Sequence, residues 1–217
     1  MDNQAGARQP YRIVPPPSAA TMACKRAFDI LCSFLGLTVL SPVLLVVSVL
    51  VAVTSPGGVF FRQERIGKDG KPFRIFKFRS MRKDNAGLKI TTGNDSRITP
   101  VGRFLRKSKI DELPQLINVL VGDMSFVGPR PEVADYVNLY TPYQRQVLLV
   151  RPGITGLASI RFRNENDLLT ASDDPNRTYV EQIMPRKIDL DLEYIPHASV
   201  FYDIKLIFQT FAVVIKE

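Results

Sequence analysis

Histidine and cysteine are almost missing from this chain. His197 is the only histidine among 217 residues, which excludes a His-based acid/base pair and a multi-His metal site. Beside Pro196, a lone imidazole reads as a satisfied structural group. Cys24 and Cys32 are the only cysteines, and they offer neither a disulfide framework nor a metal-ligand spacing. Acidic residues are scarce over one stretch. From Arg62 to Lys109 there are fifteen Lys/Arg against four Asp/Glu, so the net charge of +8 is concentrated there and the remainder of the chain is slightly acidic. Such a block implies an anionic partner: a phosphorylated substrate, anionic lipid or nucleic acid.

Charge of either sign is absent from Ile30 to Val53, an apolar run long enough to cross a bilayer. Its length and the lack of a small-residue cleavage site exclude a cleavable signal. Ser41-Pro42 lies at its middle. Proline removes a backbone donor and bends a helix. The carbonyl it frees needs a partner, which a serine hydroxyl can supply. Both flanks are basic, with Lys25 and Arg26 before the run and Arg62 and Arg65 after it. Positive charge favours the cytoplasmic side. A helix that enters and leaves by one face satisfies both flanks, whereas a spanning helix satisfies one. A buried hairpin in a soluble protein fits the run's length and uniformity less well. Asp29 heads the run, near the headgroups or as a helix-start charge.

The expected fold is α+β and mainly helical. It comprises a re-entrant membrane helix broken at Ser41-Pro42, a small globular domain with a β-hairpin, and interfacial amphipathic helices. Residues 1–21, with Pro15-Pro16-Pro17, read as a flexible lead. Residues 22–56 form the membrane segment and 57–217 the globular domain. Strands are expected over Val59–Gln63 and Phe73–Phe78 around an Asp69-Gly70 turn, and a loop from Asp84 to Thr99. Helices are expected from Pro100, from Ser108 or Asp111 to Gly122, and from Glu132 to Val150. Asn164 to Pro185 reads as irregular. From Phe201 to Ile215, apolar residues recur at three and four, which suits a helix covering a core or lying in the membrane interface.

The most informative stretch is Ser108-Lys109-Ile110-Asp111-Glu112-Leu113-Pro114-Gln115. Two carboxylates sit at an expected helix start, behind Arg103, Arg106, Lys107 and Lys109. A helix start favours anions, and a carboxylate pair beside cations suits phosphate chemistry. Val127-Gly128-Pro129-Arg130-Pro131 is a stiff extended segment that delivers Arg130 as a phosphate clamp. Arg151-Pro152-Gly153-Ile154-Thr155-Gly156 is a second.

Six fragments in order resemble one family. They are the Ser41-Pro42 break, Phe61-Arg62-Gln63-Glu64-Arg65-Ile66-Gly67, Phe76-Lys77-Phe78-Arg79-Ser80-Met81, Ile110 to Leu116, Gly122 to Pro131, and Arg151 to Ala158. From about Lys25 onward the chain resembles the bacterial sugar transferases, the monotopic polyprenyl-phosphate phosphoglycosyl transferases. The resemblance implies transfer of a phosphosugar from a UDP-sugar to a membrane polyprenyl phosphate, such as undecaprenyl phosphate. The products are a polyprenyl diphosphosugar and UMP, formed through a covalent aspartyl intermediate with Mg²⁺, as the first membrane step of glycoconjugate assembly.

It further implies Asp111 as nucleophile, Glu112 as its partner and both as metal ligands. Arg106 matches a phosphate-holding position, and Arg163 has the spacing of an arginine that contacts the nucleotide. The implied location is the bacterial inner membrane, with the catalytic domain on the cytoplasmic face. A single long apolar segment fits the small members. Ser159 to Ile195 matches poorly apart from Arg163, so the sugar is left open, as is the oligomeric state, a homodimer included. The competing reading is a non-catalytic surface protein that grips anionic lipid through the basic block. A nucleic-acid partner would leave the apolar run unexplained.

Overall fold

The computed structural model describes residues 12–55, 57–82 and 97–215. The apolar run lies in α1, a single helix from Ala19 to Thr54 with Pro42 inside it. At 36 residues it is about 54 Å long. Pro42 cannot donate to the carbonyl of Thr38, and the Ser41 hydroxyl donates to that oxygen instead, at 2.8 Å. Ser33, Thr38, Ser48 and Thr54 likewise donate to carbonyls four residues back. Every hydroxyl of the apolar run is thus satisfied within the helix, as a water-free surrounding requires.

One stripe of α1 faces the rest of the chain: Lys25, Asp29, Ser33, Val47 and Val51 are buried. Near its start, Lys25 pairs with Asp203 and donates to the Tyr194 hydroxyl. The Asp29 carboxylate accepts from Ser125 Oγ and the Phe126 N–H, both at 3.1 Å. It therefore lies within the helix, bonded to the domain, and is neither a helix-start charge nor free at the headgroups. Near its end, Val47 and Val51 pack with Phe78 and Leu105. Leu31, Phe34, Val39, Leu45, Val46 and Val53 are exposed on the remaining surface.

Strands β1 (Phe60–Ile66) and β2 (Pro72–Phe78) form the expected hairpin, with Phe60 opposite Phe78 and Ile66 opposite Pro72. The turn holds Asp69 at φ 58°. Residues 83–96, most of the expected loop, lie outside the described residues. Beyond them come α2 (Pro100–Lys107), capped by the Thr99 hydroxyl, and α3 (Gln115–Val121). Neither Ser108 nor Asp111 caps α3. Lys109 adopts a left-handed φ of 57°, and Ile110–Glu112 form a separate 3-10 turn. Pro114 cannot donate a backbone bond, so α3 starts after it.

Strands β3 (Ser125–Val127) and β4 (Gly153–Thr155) pair in parallel. The expected helix from Glu132 to Val150 is instead α4 (Ala134–Val137), a turn, and a 3-10 run over Gln144–Leu149. Conversely, the stretch read as irregular is helical. It comprises α6 (Glu165–Thr170), α7 (Pro175–Thr178) and a π-helical turn over Tyr179–Ile183, after α5 (Leu157–Arg161) and before α8 (Met184–Tyr194). His197 is exposed on the turn before the last helix, α9 (Val200–Ile215), rather than bonded inside. In α9 the buried side is set by Asp203 and Leu206, whereas Phe201, Phe208 and Phe211 of the expected apolar stripe point outward.

The main core gathers Val127, Tyr136, Val137, Tyr140, Val147 and Ile188 with their neighbours. Of the residues read as a lead (1–21), 12–21 are described: 19–21 form the first turn of α1, and 12–18 are held to the domain at Val14. Val14 is 5% exposed within this core. The β3–β4 contact leaves no room for side chains at two glycines. A Cβ on Gly153 would lie 2.1 Å from the Gly128 nitrogen, and one on Gly128 would lie 2.4 Å from the Arg151 oxygen. Backbone cannot give way as a side-chain tip can. Gly153→Ala is expected to destabilise the chain by roughly 2–3 kcal/mol. A thermal melt within a degree of wild type would refute this packing.

Candidate active site

Asp111 and Glu112 sit on the 3-10 turn between α2 and α3. The left-handed Lys109 makes the turn sharp, at a backbone cost of about 1 kcal/mol. Strain of this kind is held in place by surrounding structure, here the Asn118 carboxamide. Its oxygen accepts the Phe76 N–H at 2.9 Å, and its nitrogen donates to the Arg74 carbonyl at 2.9 Å. These bonds dock α3 on β2 and bring Lys77 to the pair.

The two acids differ sharply. Glu112 Oε1 accepts from Lys77 Nζ at 2.6 Å and from Arg130 Nη2 at 3.0 Å. Burial alone would raise its pKa, but Lys77 and Arg130 outweigh burial and hold the carboxyl well below the usual carboxylate range. Asp111 is only 7% exposed, and its carboxylate makes no hydrogen bond or ion pair among the described residues. Burial, then the neighbouring Glu112 charge, pushes its pKa up to about 6, against the pull of Lys77, Arg106 and Lys109. One acid is thus pinned and ionised; the other has no partner among the described residues and its pKa is pushed up to about 6. Pairs whose environments separate their acidities in this way mark acid/base and nucleophilic sites.

Arg130 arrives on the extended segment after β3. Gly153 N–H donates to the Pro129 carbonyl at 2.9 Å, and Ile66 N–H donates to the Glu132 carbonyl at 2.8 Å, fixing the segment on both sides. Arg65 reaches the Pro131 carbonyl and Glu132, and Tyr179 donates to Glu132. Arg106, at the end of α2, bonds Met81 Sδ at 3.3 Å. Of the expected residues, Asp111, Glu112, Arg130 and Arg106 are therefore gathered. Arg163 is not: it is exposed beyond α5 and makes no hydrogen bond or ion pair among the described residues. Ser41 and Pro42 belong to α1, apart from the carboxylates.

Lys77, Asn118 and Gln115 were not singled out from sequence. For Lys77 the signal was strand parity. It stands two residues beyond Ile75 and four beyond Phe73, so it shares their face, and Ile75 packs against Val119 of α3. Gln115 is 2% exposed, and its Nε2 has no partner. No signal in its residue type would have revealed that.

Among the described residues, no group of three or more His, Cys, Asp or Glu could hold a metal ion. The donor set is the Asp111 carboxylate plus Glu112 Oε2. Two carboxylates suit Mg²⁺, which usually completes its octahedron from substrate phosphate and water.

A family model described as bacterial sugar transferase matches residues 20–217. The chain is 43% identical over 201 residues to the UDP-glucose:undecaprenyl-phosphate glucose-1-phosphate transferase of Escherichia coli K12, covering 90% of this chain and 41% of that protein. It is 37% identical over 214 residues to the UDP-N-acetylgalactosamine-undecaprenyl-phosphate N-acetylgalactosaminephosphotransferase of Aeromonas hydrophila, covering 96% and 46%. It is 41% identical over 199 residues to the exopolysaccharide production protein PSS of Rhizobium leguminosarum bv. phaseoli, covering 87% and 94%. The chain thus spans less than half of the first two relatives and nearly all of the third. With the family model running through both carboxylates, α1 and α9, this chain belongs to the bacterial sugar transferase family.

Proposed function

We propose that the chain is a phosphoglycosyl transferase that moves a phosphosugar from a UDP-sugar to membrane polyprenyl phosphate, leaving UMP. The observation that carries this reading is the buried Asp111 carboxylate, without a partner among the described residues, beside a Glu112 paired with Lys77 and Arg130. Asp111 attacks the phosphorus that bears the sugar. The bond from that phosphorus to the bridging oxygen breaks, and the electron pair leaves with UMP. An acyl phosphate remains on Asp111. An oxygen of the polyprenyl phosphate then bonds to the same phosphorus. The acyl oxygen–phosphorus bond breaks and the Asp111 carboxylate is regenerated. Arg106 and Arg130 hold phosphate oxygens, and Arg163 contacts the nucleotide. Asp111 and Glu112 would hold Mg²⁺, which when bound offsets repulsion between carboxylate and diphosphate.

Purified protein given polyprenyl phosphate, Mg²⁺ and a panel of UDP-sugars is expected to release UMP from at least one of them. Chelation should stop the release and added Mg²⁺ restore it. With lipid omitted, about one equivalent of UMP per enzyme should still appear, the mark of a covalent intermediate. Silence across the whole panel would refute the reading.

In this function α1 is re-entrant, entering and leaving the bacterial inner membrane from the cytoplasmic face. Support comes from its two ends, which both pack on one domain, and from the apolar surface that the domain leaves uncovered. The outward phenylalanines of α9 extend the seating to the interface. Single cysteines placed before Lys25 and after Ser55 should be labelled from the same side. Labelling from opposite sides would exclude the re-entrant path.

A further inference from the structure

We infer that the segment 12–18 is a strap that positions Arg130, with Val14 and Gln146 as its positioning residues; this rests on the phosphate-clamping role proposed for Arg130. The strap lies before the residues matched by the family, which begin at 20. Gln146 grips it with both ends of one carboxamide. Its Oε1 accepts the Val14 N–H at 2.7 Å, and its Nε2 donates to the Arg12 carbonyl at 3.0 Å. That is the pairing a neighbouring strand would give. Val14, whose N–H makes the first of these bonds, is itself buried in the core, while Ile13 between the two bonds is exposed.

The other end of the strap is equally fixed. Pro15-Pro16-Pro17 is a stiff spacer, and it ends at Ser18, whose hydroxyl caps α1 by accepting the Thr21 N–H at 3.1 Å. The strap therefore ties the start of the membrane helix to the Gln144–Leu149 run. A 3-10 run has poorer hydrogen-bond geometry than an α-helix and holds its shape weakly by itself. Directly after it, Val150 leads into Arg151-Pro152-Gly153, and Gly153 N–H holds the Pro129 carbonyl. Val147 and Val150 share the Val14 core cluster, and they also line a cavity with Pro129, Arg130 and Pro152. The strap thus braces the wall against which the Arg130 segment rests. Loosening it lets Arg130 lose its aim at the diphosphate without removing any group that reacts.

Arg130 grips the donor's diphosphate in ground and transition states alike, so the loss falls on KM. Gln146→Leu removes both strap bonds, together with the local bond from Nε2 to the Tyr143 carbonyl, and leaves the buried apolar side chains in place. It is expected to raise KM for the UDP-sugar about 5–10-fold with kcat within about twofold of wild type. Val14→Asp should do the same or more, and Val14→Ile should restore wild-type KM. A brace with a merely structural role would lower the melting temperature and the active fraction, seen in kcat, and leave KM unmoved. If Val14→Asp does not fold, Gln146→Leu alone decides. An unchanged KM in that variant, or a fall in kcat alone, overturns the inference. Wild-type protein that releases no UMP would instead sink the proposed function, so the two failures are distinct.

Discussion

Asp111→Asn is expected to abolish phosphosugar transfer, lowering UMP release roughly 10⁴-fold or more, while making the chain more stable. An amide cannot form the acyl phosphate. The gain in stability follows from burial. The Asp111 carboxyl titrates at about 6 in the folded chain, against about 3.9 in an unfolded one. The folded state therefore favours the protonated acid. Its contribution is complete below about pH 4 and is lost as pH rises through 6. Asparagine resembles the protonated form at every pH, so at pH 7.5 the variant should gain about 1–3 kcal/mol, or roughly 2–8 °C in melting temperature. In wild type the same group should give kcat/KM an acid limb centred near pH 6. Near-normal UMP release from the variant would end the nucleophile assignment. A lowered melting temperature would end the account of Asp111 as a carboxyl whose ionised form folding disfavours.

Glu112→Gln should behave oppositely in stability, although the substitution is chemically the same and one residue away. The folded pKa of Glu112 is depressed, so its contribution is present above the unfolded value of about 4.3 and is lost as pH falls below it. Glutamine leaves Lys77 and Arg130 facing each other without an anion. Lys77 is mostly buried and Arg130 is 40% exposed at its side chain, so part of that cost is screened by water. A loss of about 2–4 kcal/mol is expected at pH 7.5. UMP release should fall roughly 10²–10³-fold as Asp111 loses its partner carboxylate and Lys77 its anchor. Adding Lys77→Met should recover part of the stability and none of the activity. A Glu112→Gln protein as stable as wild type would mean that the three-charge cluster is not formed.

Legibility from sequence followed the range of the interactions. The hairpin was readable because alternation and a turn signal are local. The Ser41 hydroxyl serving the Thr38 carbonyl was readable because it depends only on the helix repeat. The carboxylate pair was found from cations that lie beside it along the chain. What failed was decided by distant packing. The 3-10 turn at Ile110–Glu112 exists because Asn118 docks α3 on β2, across more than forty residues of sequence. The outward face of α9 could not be told from its inward one. A buried Asp203 meets Lys25 from the far end of the chain and claims the inside for itself. Gln146 carries no signal that it would bind main chain around Val14. Lys77 was not singled out, although counting by twos from Phe73 already placed it with the core-facing residues.

The buried stripe of α1 bears on how exchangeable this helix is. Lys25, Asp29, Val47 and Val51 are cut to fit the domain, while the opposite side presents exposed apolar side chains that make no such fit. The helix is a seam between two solvents. A foreign anchor of equal hydropathy would restore the oily side and leave Phe78, Leu105, Ser125 and Asp203 bare. Swapping anchors between family members should therefore succeed only when the matching residues beneath are carried along.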